Sequence, residues 1–320
     1  MKKKKISILV TCYNEEANLI SLYKRVSLVF KSLSRYDFEL IYIDNASIDN
    51  SERIFKKLSI QDRRIKVVVM SRNFGSPQSS FLAGFSYMSG EAAVLLHGDI
   101  QDPPEMIPDL IKKWEDNYQV VYGVRQIRKG YGFIWNFLYK AFYYVLNKLA
   151  YINIPLNAGE FSLIDKGVIE ELKQIGEYDY YIRGLRAYVG FRQIGIPYVR
   201  ESRTAGGSTE NLLTSIWWAK TIIINFSFRP LEWISIFGFI VMLFAFLFLV
   251  TNLVLLMFVH DSPRGIPTVV VLTLFLGGVQ LLSLSIIAEY ISKIFLEVKR
   301  RPKYIVGKVF NLKKHYAGNS

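Results

Sequence analysis

Two stretches of the chain, Trp233–Val259 and Ile266–Ala288, run for 27 and 23 residues without an Asp, Glu, Lys or Arg. About 20 helical residues cross a hydrocarbon core of roughly 30 Å, so each stretch can span a bilayer. The link HDSPRGI is short, which makes the pair a hairpin with both ends on one side. After it come Lys293, Lys299, Arg300, Arg301, Lys303, Lys308, Lys313 and Lys314, against only Arg264 in the link. The positive-inside rule therefore puts the tail in the cytoplasm, and with it the large amino-terminal domain. The start, MKKKK then ISILV, lacks the length and the small-residue cleavage site of a signal peptide. A multi-pass protein of the cell (inner) membrane is expected, with the large domain and both termini cytoplasmic.

The remaining two thirds follow a different pattern. Val- and Ile-rich runs at 6–10, 38–44, 65–70, 92–96 and 119–124 alternate with segments of helical period. Between the first two runs Leu19, Leu22, Val26, Val29 and Leu33 step by three or four, the stripe of a helix facing a sheet. This alternation predicts a parallel, doubly wound sheet with buried strands. Ligands of such sheets bind beyond the carboxyl ends of the strands. Each run here is followed by a polar cluster: TCYNEE at 11–16, DNASIDNS at 44–51, SRNFG at 71–75, HGDIQD at 97–102 and RQIR at 125–128. The fold would gather these clusters along one edge as a shared cleft.

Two further segments, 133–152 and 212–228, carry aromatics and scattered lysines and read as helices lying in the headgroup region. The domain reading is 1–210 for the large domain with an interfacial helix at about 133–152, 211–230 for an amphipathic juxtamembrane helix, 231–292 for two transmembrane helices and 293–320 for a basic tail. The formal charge of +13 suits an anionic membrane surface, a phosphorylated substrate or nucleic acid. No nucleic-acid motif is present, so a nucleic-acid partner is not expected. Cys12 is the single cysteine, which rules out an intramolecular disulfide, and no Cys/His cluster has metal-ligand spacing.

The motifs YNEE, DNASIDNS, SRNFG, GDIQDPPE and NAGEFSLID, in this order and followed by a two-helix anchor, resemble the GT-A glycosyltransferases of family 2 that act on polyprenyl phosphates. That resemblance implies an α/β fold, a GT-A (Rossmann-like) mostly parallel sheet flanked by helices. It implies inverting transfer of one sugar from a nucleotide-diphosphate sugar to a polyprenyl phosphate at the bilayer's cytoplasmic face, with Mg2+ or Mn2+. Homo-oligomers, tetramers among them, occur in the family. By position the resemblance assigns Thr11, Tyr13, Glu15, Asp44, Asn45, His97, Gly98, Asp99, Gln101 and Arg125 to the nucleotide sugar. Asp99 and Gln101 fall on the cation positions, with hard oxygen ligands suited to Mg2+ or Mn2+. Asp99 and Glu160 are the expected catalytic carboxylates. Arg128, Arg203 and Ser208 are expected at the acceptor phosphate.

Several positions depart from the family pattern. Thr11 stands where the family has Pro, Asn45 where it has a second Asp, and Ala46 where it has Gly. His97 replaces the first Asp of Asp-x-Asp, Glu160 an Asp, Ser162 an Arg and Thr209 a Lys. His97 reads either as a ligand of metal or phosphate or as a satisfied, partly buried imidazole. Asp102, ahead of Pro103 and Pro104, reads mainly as a helix cap. A processive synthase would need a Gln-x-x-Arg-Trp motif and more spans. The substitutions motivate one alternative, a catalytically weakened or inactive membrane scaffold derived from the family.

Overall fold

The computed structural model describes residues 3–126, 152, 154–155, 158–200, 223–258 and 265–313. The expected interfacial segment 133–152, but for Ile152, and residues 212–222 of the juxtamembrane segment lie outside them, as do Arg128, Arg203, Ser208 and Thr209. The chain divides into two compact units, one of residues 1–147, 152–211 and 301–320, the other of 148–151 and 212–300.

In the first unit β1 (Lys4–Cys12), β2 (Tyr36–Asp44), β3 (Ile65–Met70), β4 (Ala92–His97), β5 (Val120–Arg125), β6 (Ala158–Asp165), β7 (Gln193–Tyr198) and β8 (Val306–Phe310) form one sheet in the order β7-β5-β6-β4-β1-β2-β3-β8. The neighbours β4, β1, β2 and β3 are parallel. Ile6, Ile8, Leu9 and Val10 of β1 are all fully buried, as a strand covered on both faces must be. The helix α1 (Glu16–Ser32) buries the predicted stripe Leu19, Leu22, Val26 and Val29. α2 (Ser51–Gln61) follows β2, and α3 (Pro77–Tyr87) follows β3. α3 starts with Ser76 as N-cap, its hydroxyl accepting from Gln78 N, and with Pro77 in the first turn. α4 (Ile107–Glu115), α5 (Lys166–Gln174) and α6 (Ile182–Tyr188) complete this unit's described helices.

The parallel array does not continue through the fifth predicted run. β6 inserts between β4 and β5 and runs antiparallel to both, and β7 pairs parallel with β5. Residues 306–310, read from their lysines as part of a basic tail, instead pair antiparallel with β3 and close that edge of the sheet. Lys308 Nζ there meets Glu52 Oε1 at 2.8 Å, and Asn311 Nδ2 donates to the carbonyls of Ser59 and Ile65.

In the second unit α7 (Arg229–Phe258) and α8 (Ile266–Val298) have 30 and 33 residues. Within them Arg229–Phe248 and Leu272–Val298 are long and apolar enough to cross a membrane. Large apolar side chains such as Phe239, Phe244, Leu274 and Leu281 point outward, the pattern of a lipid-facing helix.

Candidate active site

The sheet order reverses direction between β1 and β4, and a crevice of this kind lies beyond their carboxyl ends. There β1 and β4 pair Thr11 with His97, and β1 and β2 pair Cys12 with Asp44. All three strands exit through left-handed residues: Asn14 at φ 55°, Ala46 at 60° and Ile100 at 56°. For a β-branched residue such as Ile100 that conformation is strained, by about 1–3 kcal/mol. The first two exits are laced together. Asn14 N donates to Ser47 Oγ at 2.9 Å and Ile48 N to Asn14 Oδ1 at 2.9 Å. Glu16 N donates to Asp49 Oδ2, and Asn50 N to Glu16 Oε2. Tyr13 is left 43% exposed on this rim, while Glu15 Oε2 accepts from Asn18 Nδ2 at 2.6 Å.

Asp44 is buried and turned onto Ser47, whose hydroxyl donates to it at 2.5 Å. Burial pushes its carboxyl above the usual range, against the Ser47 bonds. Asn45 uses both ends of its amide. Nδ2 donates to Asn73 Oδ1 at 3.0 Å, and Oδ1 accepts from Phe74 N at 3.0 Å. An Asp there would lack the donor, so the departure from the family's second acid has a local reason. Gly98 is pressed against β1, where an added Cβ would lie 3.0 Å from Cys12 Sγ and 3.2 Å from the Thr11 carbonyl.

His97 and Glu160 are in close contact within the cleft. Nε2 lies 2.6 Å from Glu160 Oε2, and Nδ1 lies 3.1 Å from Thr11 Oγ1. Gln78 Nε2 donates to Glu160 Oε1 at 2.5 Å, and Arg183 Nη2 is 3.6 Å from the same oxygen. Burial pulls the imidazole down, but the Glu160 carboxylate outweighs it and the His97 pKa rises. Burial likewise opposes ionisation of Glu160, yet His97, Arg183 and Gln78 hold its carboxyl well below the usual range. Both ring nitrogens of His97 are thus hydrogen-bonded within the protein, one to the Glu160 carboxylate and one to the Thr11 hydroxyl.

A second network surrounds the acids after β4. Asp99 Oδ1 accepts from Gln101 N at 3.2 Å, and Oδ2 lies 3.7 Å from Arg200 Nη2. Asp102 does not cap the helix that follows. The 3₁₀ turn Pro104–Met106 begins after Pro103 without a side-chain cap, and Asp102 is 1% exposed, accepting from the Tyr198 hydroxyl with Arg200 Nε 3.4 Å away. The β7 strand brings Tyr198 close enough to capture this acid, which a cap reading from local sequence omits. Arg125 packs over Gly159, and Asp102 and Tyr198 raise its pKa against the effect of burial. Behind them Arg186, 2% exposed, donates to the Gly159 carbonyl at 2.9 Å, and burial with Arg183 nearby pushes its pKa down to about 10.

The cleft thus joins three carboxylates, four guanidinium groups and an imidazole. Thr11, His97, Gly98, Asp99, Gln101, Glu160 and Arg125 lie around the β1, β4, β5 and β6 ends, with Tyr13, Glu15, Asp44 and Asn45 on the adjoining β1 and β2 exits. Gln78, Arg183, Arg186, Tyr198 and Arg200 were not anticipated. The only sequence signal for them is the i, i+3 arginine pair in YIRGLR. Among the described residues no group of three or more His, Cys, Asp or Glu could hold a metal ion by itself. Mg2+ commonly takes one or two carboxylates and completes its shell with substrate phosphates and water, so a single carboxylate such as Asp99 suits that mode.

The profile of Glycosyl transferase family 2 matches residues 7–173. An uncharacterised glycosyltransferase of Bacillus subtilis, YkcC, is 37% identical over 96% of this chain and 94% of its own length. The SfII prophage-derived bactoprenol glucosyl transferase of Shigella flexneri is 34% identical over 98% of this chain and 99% of its own. Among solved structures, the mannosyltransferase PcManGT of Pyrobaculum calidifontis in complex with GDP-Man and Mn2+ is 17% identical, with a TM-score of 0.45 over 62% of this chain and 56% of that one.

Proposed function

Because the chain belongs to glycosyltransferase family 2, we propose that it transfers one sugar, with inversion, from a nucleotide-diphosphate sugar to a polyprenyl phosphate. The observation that carries this is the match to bactoprenol glucosyl transferases over 98% of the chain, both long apolar helices included. The four guanidinium groups around the cleft support anionic substrates on both sides of the reaction.

A phosphate monoester loses its second proton near pH 6, so at neutral pH the acceptor is already a nucleophile and needs no strong base. The protein's share is positioning and charge. Tyr13, Glu15, Asp44 and Asn45 hold the nucleotide end, with Thr11, Gly98 and Arg125 toward the diphosphate. Asp99 and Gln101 hold a Mg2+ or Mn2+ ion, which when bound neutralises charge developing on the leaving diphosphate. Glu160, kept ionised by His97, orients the acceptor side, where Arg128, Arg203 and Ser208 take the lipid phosphate. The hairpin α7–α8 lies in the cell membrane with the catalytic unit in the cytoplasm.

The test is full-length protein in detergent with undecaprenyl phosphate, a panel of labelled nucleotide sugars and Mg2+ or Mn2+. Lipid-linked label that disappears in Asp99→Ala and on chelation is expected. No label with any donor, together with no nucleotide binding, is the outcome of an inactive scaffold and refutes the reading.

A further inference from the structure

Arg200 lies two residues beyond β7 and divides its guanidinium between two acids. Nη2 is 3.7 Å from Asp99 Oδ2 and Nε is 3.4 Å from Asp102 Oδ1. Both contacts are longer than the 2.6 Å between His97 and Glu160, and neither is the paired fork that a guanidinium makes with a single carboxylate. The two acids are not equivalent. The Asp102 side chain is fully enclosed, 0% exposed, and fixed by the Tyr198 hydroxyl, whereas Asp99 at 11% and Arg200 at 26% reach the open side. Asp102 Oδ2 and Arg200 Nε are buried without a hydrogen-bond partner among the described residues. One short turn of the guanidinium away from Asp99 would pair these orphans and convert a split contact into a bidentate one.

The backbone that carries Arg200 is anchored. Gln126 N donates to the Tyr198 carbonyl at 2.9 Å, and the Tyr198 ring packs edge-on against Phe161 at 5.6 Å. The side chain rather than the strand is therefore the moving part, and the residues that follow it, from 201 on, include the segment expected at the acceptor.

We propose that Arg200 is a resident counter-cation of Asp99, displaced onto Asp102 when a divalent ion binds. This rests on the reading of Asp99 as a cation ligand. A guanidinium that must leave weakens the ion's hold on Asp99, and the fork formed with Asp102 recovers part of that loss.

The test uses full-length protein in nanodiscs and Mn2+ alone, with bound ion read from the free Mn2+ paramagnetic resonance signal. Arg200→Gln is expected to tighten Mn2+ about fivefold, the scale of one partly screened charge contact. Arg200→Lys, which keeps the charge but cannot fork, loses the recovery on Asp102 and is expected to bind Mn2+ more weakly than wild type, a second readout if the Gln variant fails to fold. Arg183→Gln removes a positive charge that lies 3.6 Å from Glu160 instead, and should stay within about twofold of wild type. Unchanged affinity in both Arg200 variants, or equal tightening in Arg183→Gln, overturns the proposal. If Asp99→Asn abolishes Mn2+ binding in the same series, the cation assignment survives that failure. Binding indifferent to Asp99→Asn overturns both.

Discussion

Glu160→Gln tests the central ion pair, because the carboxylate accepts on both oxygens and an amide cannot. Glu160 takes Gln78 Nε2 at 2.5 Å on Oε1 and His97 Nε2 at 2.6 Å on Oε2. If the new amide oxygen faces His97, its NH2 meets the Gln78 NH2. Gln78 cannot turn freely, since its own oxygen accepts from Ile182 N at 3.1 Å. If the oxygen faces Gln78, the NH2 meets His97 Nε2, and the imidazole must give up a proton, keeping Nδ1–H for Thr11 Oγ1 at 3.1 Å. Removing one partner of a buried pair costs roughly 3–5 kcal/mol when the other charge is stranded. Neutralisation of His97 avoids the stranding, so the loss is the difference between charged and neutral hydrogen bonds, about 2 kcal/mol. For a unit of this size that lowers the melting midpoint by ~4–8 °C.

The pH dependence carries the decisive sign. In wild type the raised His97 pKa means its stabilisation is complete below the ordinary value near 6.5 and is lost as pH rises through the folded value. The depressed Glu160 pKa means its share is present above roughly 4.3 and is lost only in stronger acid. In Glu160→Gln the partner that raised His97 is gone while burial, which lowers it, remains. Stability from this residue should then increase with pH up to about 6.5, the reverse of wild type. Melting curves from pH 5 to 9, with ring 15N spectra of the three histidines assigned through His97→Asn, measure both effects. Turnover should fall by about 10²-fold with donor affinity little changed, as expected for lost positioning. An unshifted His97 titration, or a slope of unchanged sign, would refute the ion pair.

Asn45→Asp removes the donor to Asn73 Oδ1, which already accepts from Gly75 N at 2.7 Å, and should cost about 1–3 kcal/mol by thermal melting. Unaltered stability would mean the amide's donor is not needed. Gly98→Ala places a methyl 3.0 Å from Cys12 Sγ and should cost about 1–3 kcal/mol and weaken nucleotide binding, read by calorimetry. Truncation after Arg300 removes β8 and bares the β3 edge, so light scattering on warming should reveal aggregation absent from the full chain.

What could be read from the sequence follows from what each element must bury. β1 to β4 and α1 declare themselves because strands covered on both faces and a helix against a sheet need continuous or periodic apolar residues. β7 does not, since QIGIPY is partly exposed and interrupted. Its Gly195 is explained only in three dimensions, where an added Cβ would lie 2.5 Å from Val124 Cγ2. β8 was hidden by Lys308, a charge that suits an exposed edge strand as well as a tail. The insertion of β6 between β4 and β5 is a matter of pairing partners, which the runs themselves do not encode.

The site divides in the same way. Residues at the ends of legible strands were found, and those carried by α3, α6 and β7 were not, because only packing brings Gln78, Arg183, Arg186 and Arg200 to the β4 exit. Burial of an acid is not what marks the cleft. Glu39, 2% exposed near the other end of the sheet, accepts from Ser7 Oγ, Ser89 N and Oγ, and Lys66 Nζ, and its carboxyl stays low although burial opposes it. A fully bonded acid of that kind is an architectural contact. At the β4 exit, by contrast, Asp102 Oδ2, Arg125 Nε, Arg186 Nε and Nη1, and Arg200 Nε are buried without hydrogen-bond partners among the described residues. Unmatched polar atoms are costly and rare in folded chains, so the concentration of unmatched guanidinium nitrogens at the β4 exit sets this region apart from an architectural contact such as Glu39.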